Sequence, residues 1–171
     1  LTVQESFGQT QGVKVVLSWA PHIRPLPKAV PNSVLLHAAA AGCEVTVAHP
    51  PGFELGEAVR AEAQRYASES GASIRYTHDQ RAALEGAHVV YTKAWGPEPR
   101  ASEDGIVASP ALRGWMPTLK HFEHAASDAI FMHCLPVRRN VEVSDEILDS
   151  ELSRVVDEAE NRLWMQMAAL A

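Results

Sequence analysis

The sequence predicts an α/β fold: a doubly wound parallel sheet with helices on both faces. Three observations carry this. Short β-rich apolar runs alternate with helical patterns along the chain. The runs are almost continuously apolar, as strands covered on both faces are. Turn and capping residues separate them. In such sheets ligands bind at the carboxyl ends of the strands, so the residues just after each strand are the ones to inspect.

The elements follow in order. Val13–Trp19 reads as a strand. After a Pro-rich loop, Asn32 or Ser33 is expected to cap a helix through Val34–Ala41, which Gly42 stops. Cys43–His49 is the next strand, Pro50-Pro51-Gly52 turns the chain, and a polar, alanine-rich helix runs from about Glu57 to Ser70. Ser73–Thr77 is a third strand, Asp79–Glu85 a short helix ended by Gly86, and His88–Thr92 a fourth strand. Lys93–Arg113 is irregular, a helix near Thr118–Ala126 follows, and Ala129–Met132 is the fifth strand. Asp145–Leu148 can form a helical turn, Arg154–Val156 is expected to be a short last strand, and Asp157 to open the last helix, where acids suit the N-terminal dipole.

Composition narrows the function. The 171 residues suffice for one domain with a sizeable core. A net charge of -6 does not favour nucleic acid as a partner. No apolar run approaches the about 18 residues of a membrane helix, so no membrane partner is expected. Two cysteines, Cys43 and Cys134, make neither a disulfide framework nor a zinc site; a reducing cytoplasm is the simplest setting, with Cys43 a buried core thiol. The start, Leu1–Gly8, reads as the end of a helix, and Arg162–Ala171 is still an apolar helical pattern where the chain stops. A fragment or excised domain is expected from this.

The strongest polar cluster is His133-Cys134-Leu135-Pro136-Val137-Arg138-Arg139-Asn140, directly after the fifth strand. An imidazole there can donate to a carbonyl oxygen gaining charge, and Leu135 and Pro136 can fix the backbone; a solvated basic turn fits the same residues. In Asp157-Glu158-Ala159-Glu160-Asn161-Arg162, the acids suit a helix start and the Arg162 fork suits a phosphate or carboxylate, though a surface salt bridge would also account for it. Four prolines in the eleven residues Pro21–Pro31 stiffen the loop after the first strand, making Asn32 both a cap and a candidate ligand amide. Lys93 follows the fourth strand and can meet an anion or stay solvated; Trp95 reads as packing. Gly-rich phosphate loops, Gly-x-Ser-x-Gly and His pairs at helical spacing are absent from the sequence. Adjacent residues on an extended segment point apart, which argues against a Cys134–His133 nucleophilic couple.

At His133-Cys134-Leu135-Pro136, with Glu160-Asn161-Arg162, the chain resembles the aspartate/ornithine carbamoyltransferase family. The resemblance covers essentially all of residues 1–171, in the order of the second, amino-acid-binding domain. His133–Val141, Asp157–Leu163 and the loop ending Ala29-Val30-Pro31-Asn32-Ser33 look most like the N-acetylornithine/N-succinylornithine group. Lys93-Ala94-Trp95-Gly96 replaces the Ser-Met-Gly loop of ordinary ornithine carbamoyltransferases.

The resemblance implies attack of the δ-amine of an ornithine derivative on carbamoyl phosphate, in arginine biosynthesis, with no metal or organic cofactor. His133 would bind the carbamoyl oxygen, the backbone of Cys134 and Leu135 would hold the carbamoyl NH2, and Arg162 would contact carbamoyl phosphate. Asn32 and Lys93 would lie toward the amino-acid substrate, and Arg138 and Glu142 are further candidates. The resemblance also implies a cytoplasmic homotrimer and a knot in which Lys93–Leu112 crosses the Trp19–Ser33 loop. The N-terminal, carbamoyl-phosphate-binding domain with its Ser-Thr-Arg-Thr loop is absent from these residues, so the isolated chain is expected to be inactive. Two departures bear on the substrate: Ser102–Arg113 is unlike the family's segment and offers no lysine for the acyl end, and Glu142 stands where some relatives have lysine. A plain ornithine carbamoyltransferase or a carbamoyltransferase of unassigned substrate, and a non-catalytic α/β ligand-binding domain, are the alternatives.

Overall fold

The computed structural model describes residues 1–97 and 110–171. The expected sheet is present: β1 (Lys14–Trp19), β2 (Glu44–Ala48), β3 (Ser73–Thr77), β4 (Val89–Lys93) and β5 (Ile130–Met132), all parallel, in the order β3-β2-β1-β4-β5. Period-two alternation divides β1 between two cores. Val15, Leu17 and Trp19 join Leu35, Val47, Tyr91 and Trp95 on one face, under α2 (Ala29–Ala40) and α3 (Glu57–Ser70). Val16 and Val90 pack on the other face with Ala83 and Leu84 of α4 (Gln80–Leu84). Helices therefore cover both faces, which is why β1, β4 and β5 read as almost continuously apolar. Cys43 lies in the first core, where burial pushes its thiol up to about 11.

The register aligns the carboxyl ends. Ser18 stands opposite Ala48 and Thr92, Trp19 opposite Lys93, and Ala48 opposite Thr77. The loops that leave these ends therefore share one edge. After β4 come α5 (Pro110–Arg113) and α6 (Leu119–Phe122); after β5 come α7 (Asp145–Leu148) and α8 (Val155–Leu170). The helix expected at the start is α1 (Thr2–Phe7), tied to α8 by the Asn161 amide, whose Nδ2 donates to Thr2 Oγ1 (2.9 Å) and Glu5 Oε2 (2.6 Å). Among the described residues no helix is long and apolar enough to cross a membrane.

Three expectations are corrected. The first helix after the Pro-rich loop starts at Ala29, so neither Asn32 nor Ser33 is its cap; Lys28 takes that position and Asn32 N donates to Lys28 O. The reason is Pro31, which the first helical turn accommodates because its missing N–H would have had no partner there. Arg154–Val156 is not a strand. Pairing stops at one bridge, Phe131 with Ser153, flanked by Phe131 N to Leu152 O and Arg154 N to Phe131 O, and Val155 already opens α8. The helix expected near Thr118–Ala126 is only α6, because the chain beyond it bonds to the start of β4: Gly86 N donates to His124 O and Ala126 N to Ala87 O.

Residues 98–109 of the expected crossing lie outside the described residues. The described part, from Lys93 to Pro97, packs on the Pro-rich loop. Ala20 N donates to Lys93 O, Gly96 N to Leu26 O, and the Trp19 indole to Trp95 O at 2.8 Å. Trp95 is a packing residue, buried, its indole donating to Phe53 O at 2.7 Å. A Cβ on Gly96 would sit 2.7 Å from Pro25 Cβ. Proline cannot swing away, so Gly96→Ala is expected to destabilise the chain by about 1–3 kcal/mol, as overpacking does. That is roughly 2–12 °C in Tm for a chain of this size, to be read by thermal denaturation.

Candidate functional site

The site is built where β1, β4 and β5 end. β5 delivers His133 into the interior, fully enclosed at 0% exposure. Its Nδ1 accepts the Leu135 N–H at 3.0 Å, which assigns the ring proton to Nε2. Leu135 itself has φ 49, in the left-handed region, and precedes a cis peptide to Pro136. The turn that follows folds back on itself. Asn140, at φ 58, donates its N–H to Val143 O, and Glu142 N donates to Arg138 O. This returns Glu142 to a buried position, 1% exposed, facing His133.

Glu142 is the centre of the charge arrangement. Its Oε2 accepts the Arg138 N–H at 2.9 Å. Its Oε1 lies 3.5 Å from His133 Nε2 and 3.7 Å from Lys93 Nζ. Both distances exceed a charge-assisted hydrogen bond of about 2.7–2.9 Å, so Oε1 and Nε2 each keep unused capacity. Burial pushes the Glu142 carboxyl up, but His133, the Arg138 amide and Lys93 together hold it below the usual carboxylate range. Lys93, 9% exposed, is thus not the solvated charge its sequence position also allowed.

The other candidates separate. Arg162 reaches back over the strand ends as expected, its Nη2 donating to Cys134 O at 2.8 Å, and stays exposed beside a hollow of about 260 Å³ shared with Met132 and Glu158. Cys134 is a half-buried free thiol packed against the first core. Asn32, in the first turn of α2, holds a buried Oδ1 without a partner. Arg138 crosses to the Pro-rich loop, its Nε donating to His22 Nε2 at 3.0 Å. Arg139 and Asn140 instead clamp α7: Arg139 pairs with Asp145 and Asp149, and Asn140 Nδ2 donates to Asp145 Oδ2.

Two residues at this edge were missed. Tyr91 OH donates to Glu158 Oε1 at 2.9 Å, joining β4 to α8. Burial raises the Glu158 carboxyl against the Tyr91 bond and the fields of His133 and Arg162. Tyr91 lies two residues before Lys93 and so on its face of the sheet, a signal the sequence did hold. A second polar group, His49, Glu54 and His78, gathers beyond β2 and β3, with ligand atoms all within 4.8 Å of one another.

The fold and the edge define a parallel α/β domain whose buried polar groups collect at the carboxyl ends of its strands. The chain belongs to the aspartate/ornithine carbamoyltransferase family; residues 26–171 match its Asp/Orn binding domain. An N-acetylornithine carbamoyltransferase from Xanthomonas campestris is 38% identical over 186 residues, covering 100% of this chain and 52% of the relative. An N-succinylornithine carbamoyltransferase from Bacteroides fragilis is 38% identical over 163 residues, covering 95% and 46%. An ornithine carbamoyltransferase from Clavibacter michiganensis is 44% identical over 139 residues, covering 81% and 45%. The chain spans about half the length of the curated relatives it matches. A crystal structure of acetylornithine transcarbamylase complexed with acetylcitrulline superposes with a TM-score of 0.90 at 37% identity, over 99% of this chain and 53% of the other.

Proposed function

We propose that these residues form the amino-acid-binding half of a carbamoyltransferase acting on an N-acylated ornithine, N-acetyl- or N-succinylornithine, in arginine biosynthesis. On this reading the carbamoyl-phosphate-binding half comes from residues outside the 171, and the working enzyme is a cytoplasmic homotrimer. The observation that carries it is that four of the buried polar atoms without a protein partner, His133 Nε2, Glu142 Oε1, Glu158 Oε2 and Asn32 Oδ1, belong to residues that follow the carboxyl ends of the strands. Buried polar atoms in native proteins are nearly always paired, with protein, ordered water or a ligand, so these four offer capacity for a polar ligand.

In the transfer, the δ-nitrogen of the substrate bonds to the carbamoyl carbon. The C–O bond to phosphate breaks, phosphate leaves with the electron pair, and the nitrogen releases a proton. No step needs a metal or organic cofactor; the work is positioning and charge stabilisation. His133 Nε2–H donates to the carbamoyl oxygen as it gains charge, with the Glu142 carboxylate, 3.5 Å from the same Nε2, as a positioning residue. The Cys134 and Leu135 backbone holds the carbamoyl NH2, Arg162 meets carbamoyl phosphate, and Lys93 and Asn32 face the amino acid. Arg138 fixes the Pro-rich loop through His22.

The N-acyl reading draws on relatives and solved structures of that name that span nearly the whole chain. Unacylated ornithine is the second reading, favoured by the 44% identity to the Clavibacter protein. The test is phosphate release by the full-length enzyme from carbamoyl phosphate with ornithine, N-acetylornithine and N-succinylornithine. Turnover with one acylated substrate and not with ornithine is expected. Turnover with ornithine alone overturns the acyl specificity, and turnover with none overturns ornithine and its N-acyl forms as the amine acceptor.

A further inference from the structure

We propose that His49, Glu54 and His78 form a binding site for a divalent transition cation of the zinc class. β2 and β3 are parallel neighbours, and each ends in a residue that turns out of the ladder: His49 one past β2, His78 one past β3. His49 N still donates to Thr77 O, so the two rings are held side by side, 5.0 Å apart and edge to face. Each ring uses its Nδ1 on a backbone carbonyl. His49 Nδ1 bonds Pro50 O at 2.9 Å and His78 Nδ1 bonds His49 O at 2.8 Å. A carbonyl can only accept, so Nδ1 carries the proton in both rings and both Nε2 atoms offer lone pairs. Orientation of the ring by a hydrogen bond from its other nitrogen is how metal-binding histidines are ordinarily held.

The third donor comes from the loop after β2. Glu54 is fixed by its Oε1, which accepts the Gly52 N–H at 3.1 Å, and by Lys28 Nζ, which donates to Glu54 O at 2.8 Å. Two imidazoles and a carboxylate match the donor preferences of zinc and its neighbours and leave a coordination position for water. The ligand atoms lie within 4.8 Å of one another around a hollow of about 180 Å³. A tetrahedral ion with bonds of about 2.0–2.1 Å needs them about 3.3 Å apart. Closure is available because Glu54 and His78 are exposed, while His49, 2% exposed, is the fixed anchor. Arg60 lines the same hollow, but its guanidinium is held over the Tyr76 ring, 4.5 Å from the centroid. The ion would clip the loop after β2 to the loop after β3, on the opposite side of the sheet from β5 and His133.

The test uses the tag-free chain with Co²⁺ and Zn²⁺. One equivalent of Co²⁺ should bind with a visible spectrum of nitrogen and oxygen ligation and no thiolate charge-transfer band, which excludes Cys134 and Cys43. Zn²⁺ should displace it and raise Tm, as any ligand of the folded state alone does. His78→Ala and Glu54→Gln change exposed side chains and should fold normally. Each should weaken Zn²⁺ binding by more than the about 10–100-fold typical of losing an outer-sphere partner. A thiolate band, or affinity in His78→Ala equal to that of the unaltered chain, overturns the proposal. His49→Ala is not needed for the decision.

Discussion

Glu142→Leu is expected to destabilise the chain by about 3–5 kcal/mol, the range for stripping one partner from a buried charge pair. The carboxylate is 1% exposed and serves three groups: the Arg138 N–H, His133 Nε2 and Lys93 Nζ. Leucine fills similar space but leaves a nearly buried ammonium without a counter-charge and an amide without an acceptor. Glu142→Gln should lose less, because its amide oxygen can still accept from Arg138. Lys93→Met combined with Glu142→Leu should recover part of the loss, since no buried charge is then left alone. Urea denaturation measures all three; a Glu142→Leu loss under about 1 kcal/mol would remove this carboxylate from the centre of the arrangement.

The same carboxylate sets an acid limit. Its folded-state pKa lies below the usual range, so its contribution is fully present above the unfolded value of about 4.3. It is lost as pH falls through the folded value. The stability gap between the unaltered chain and Glu142→Gln should therefore narrow below about pH 4. Glu158 acts in the opposite sense. Its folded pKa is raised, so its charge opposes folding at neutral pH and the penalty lifts as pH falls.

The strands were legible because both faces of the sheet are covered at its centre, leaving nearly continuous apolar runs in β1, β4 and β5, with alternation in β2 and the edge strand β3 and turn residues between them. What was not legible was local competition. Asn32 has the chemistry of a cap, but Pro31 fits the first turn equally well, and the helix gains the core contact of Val30 by starting earlier. Arg154–Val156 has β-branched residues, yet a strand there would forgo the turn that lets Val155 pack with Phe131, Val143 and Ile147. At the candidate site, the positions of His133 and Lys93 were legible because one follows a strand and the other ends one, and that of Arg162 because it lies on the last helix, two turns in. The Glu142–Lys93 pair could not, since 49 residues and a back-folding turn separate its members. Nor could His49 with His78, whose meeting depends on β2 and β3 being neighbours in register.

Truncating His133 to alanine in the full-length enzyme is expected to lower kcat about 10²–10³-fold, the usual effect of losing one donor to a developing oxyanion. The substitution also unpairs the Leu135 N–H, and an unsatisfied buried donor costs about 1–3 kcal/mol. Alanine alone thus cannot separate donation from support of the turn, but two isosteres can. In asparagine the side-chain oxygen falls near Nδ1 and can still accept from Leu135, while nothing stands at Nε2. In glutamine the terminal amide nitrogen reaches the Nε2 position and can still donate. If the reaction uses Nε2–H, glutamine should retain more kcat than asparagine, with kcat and kcat/KM falling together, as for an interaction made only in the transition state. If asparagine equals or exceeds glutamine, His133 serves by holding Leu135 in its left-handed turn, and the donor at the carbamoyl oxygen must be another group.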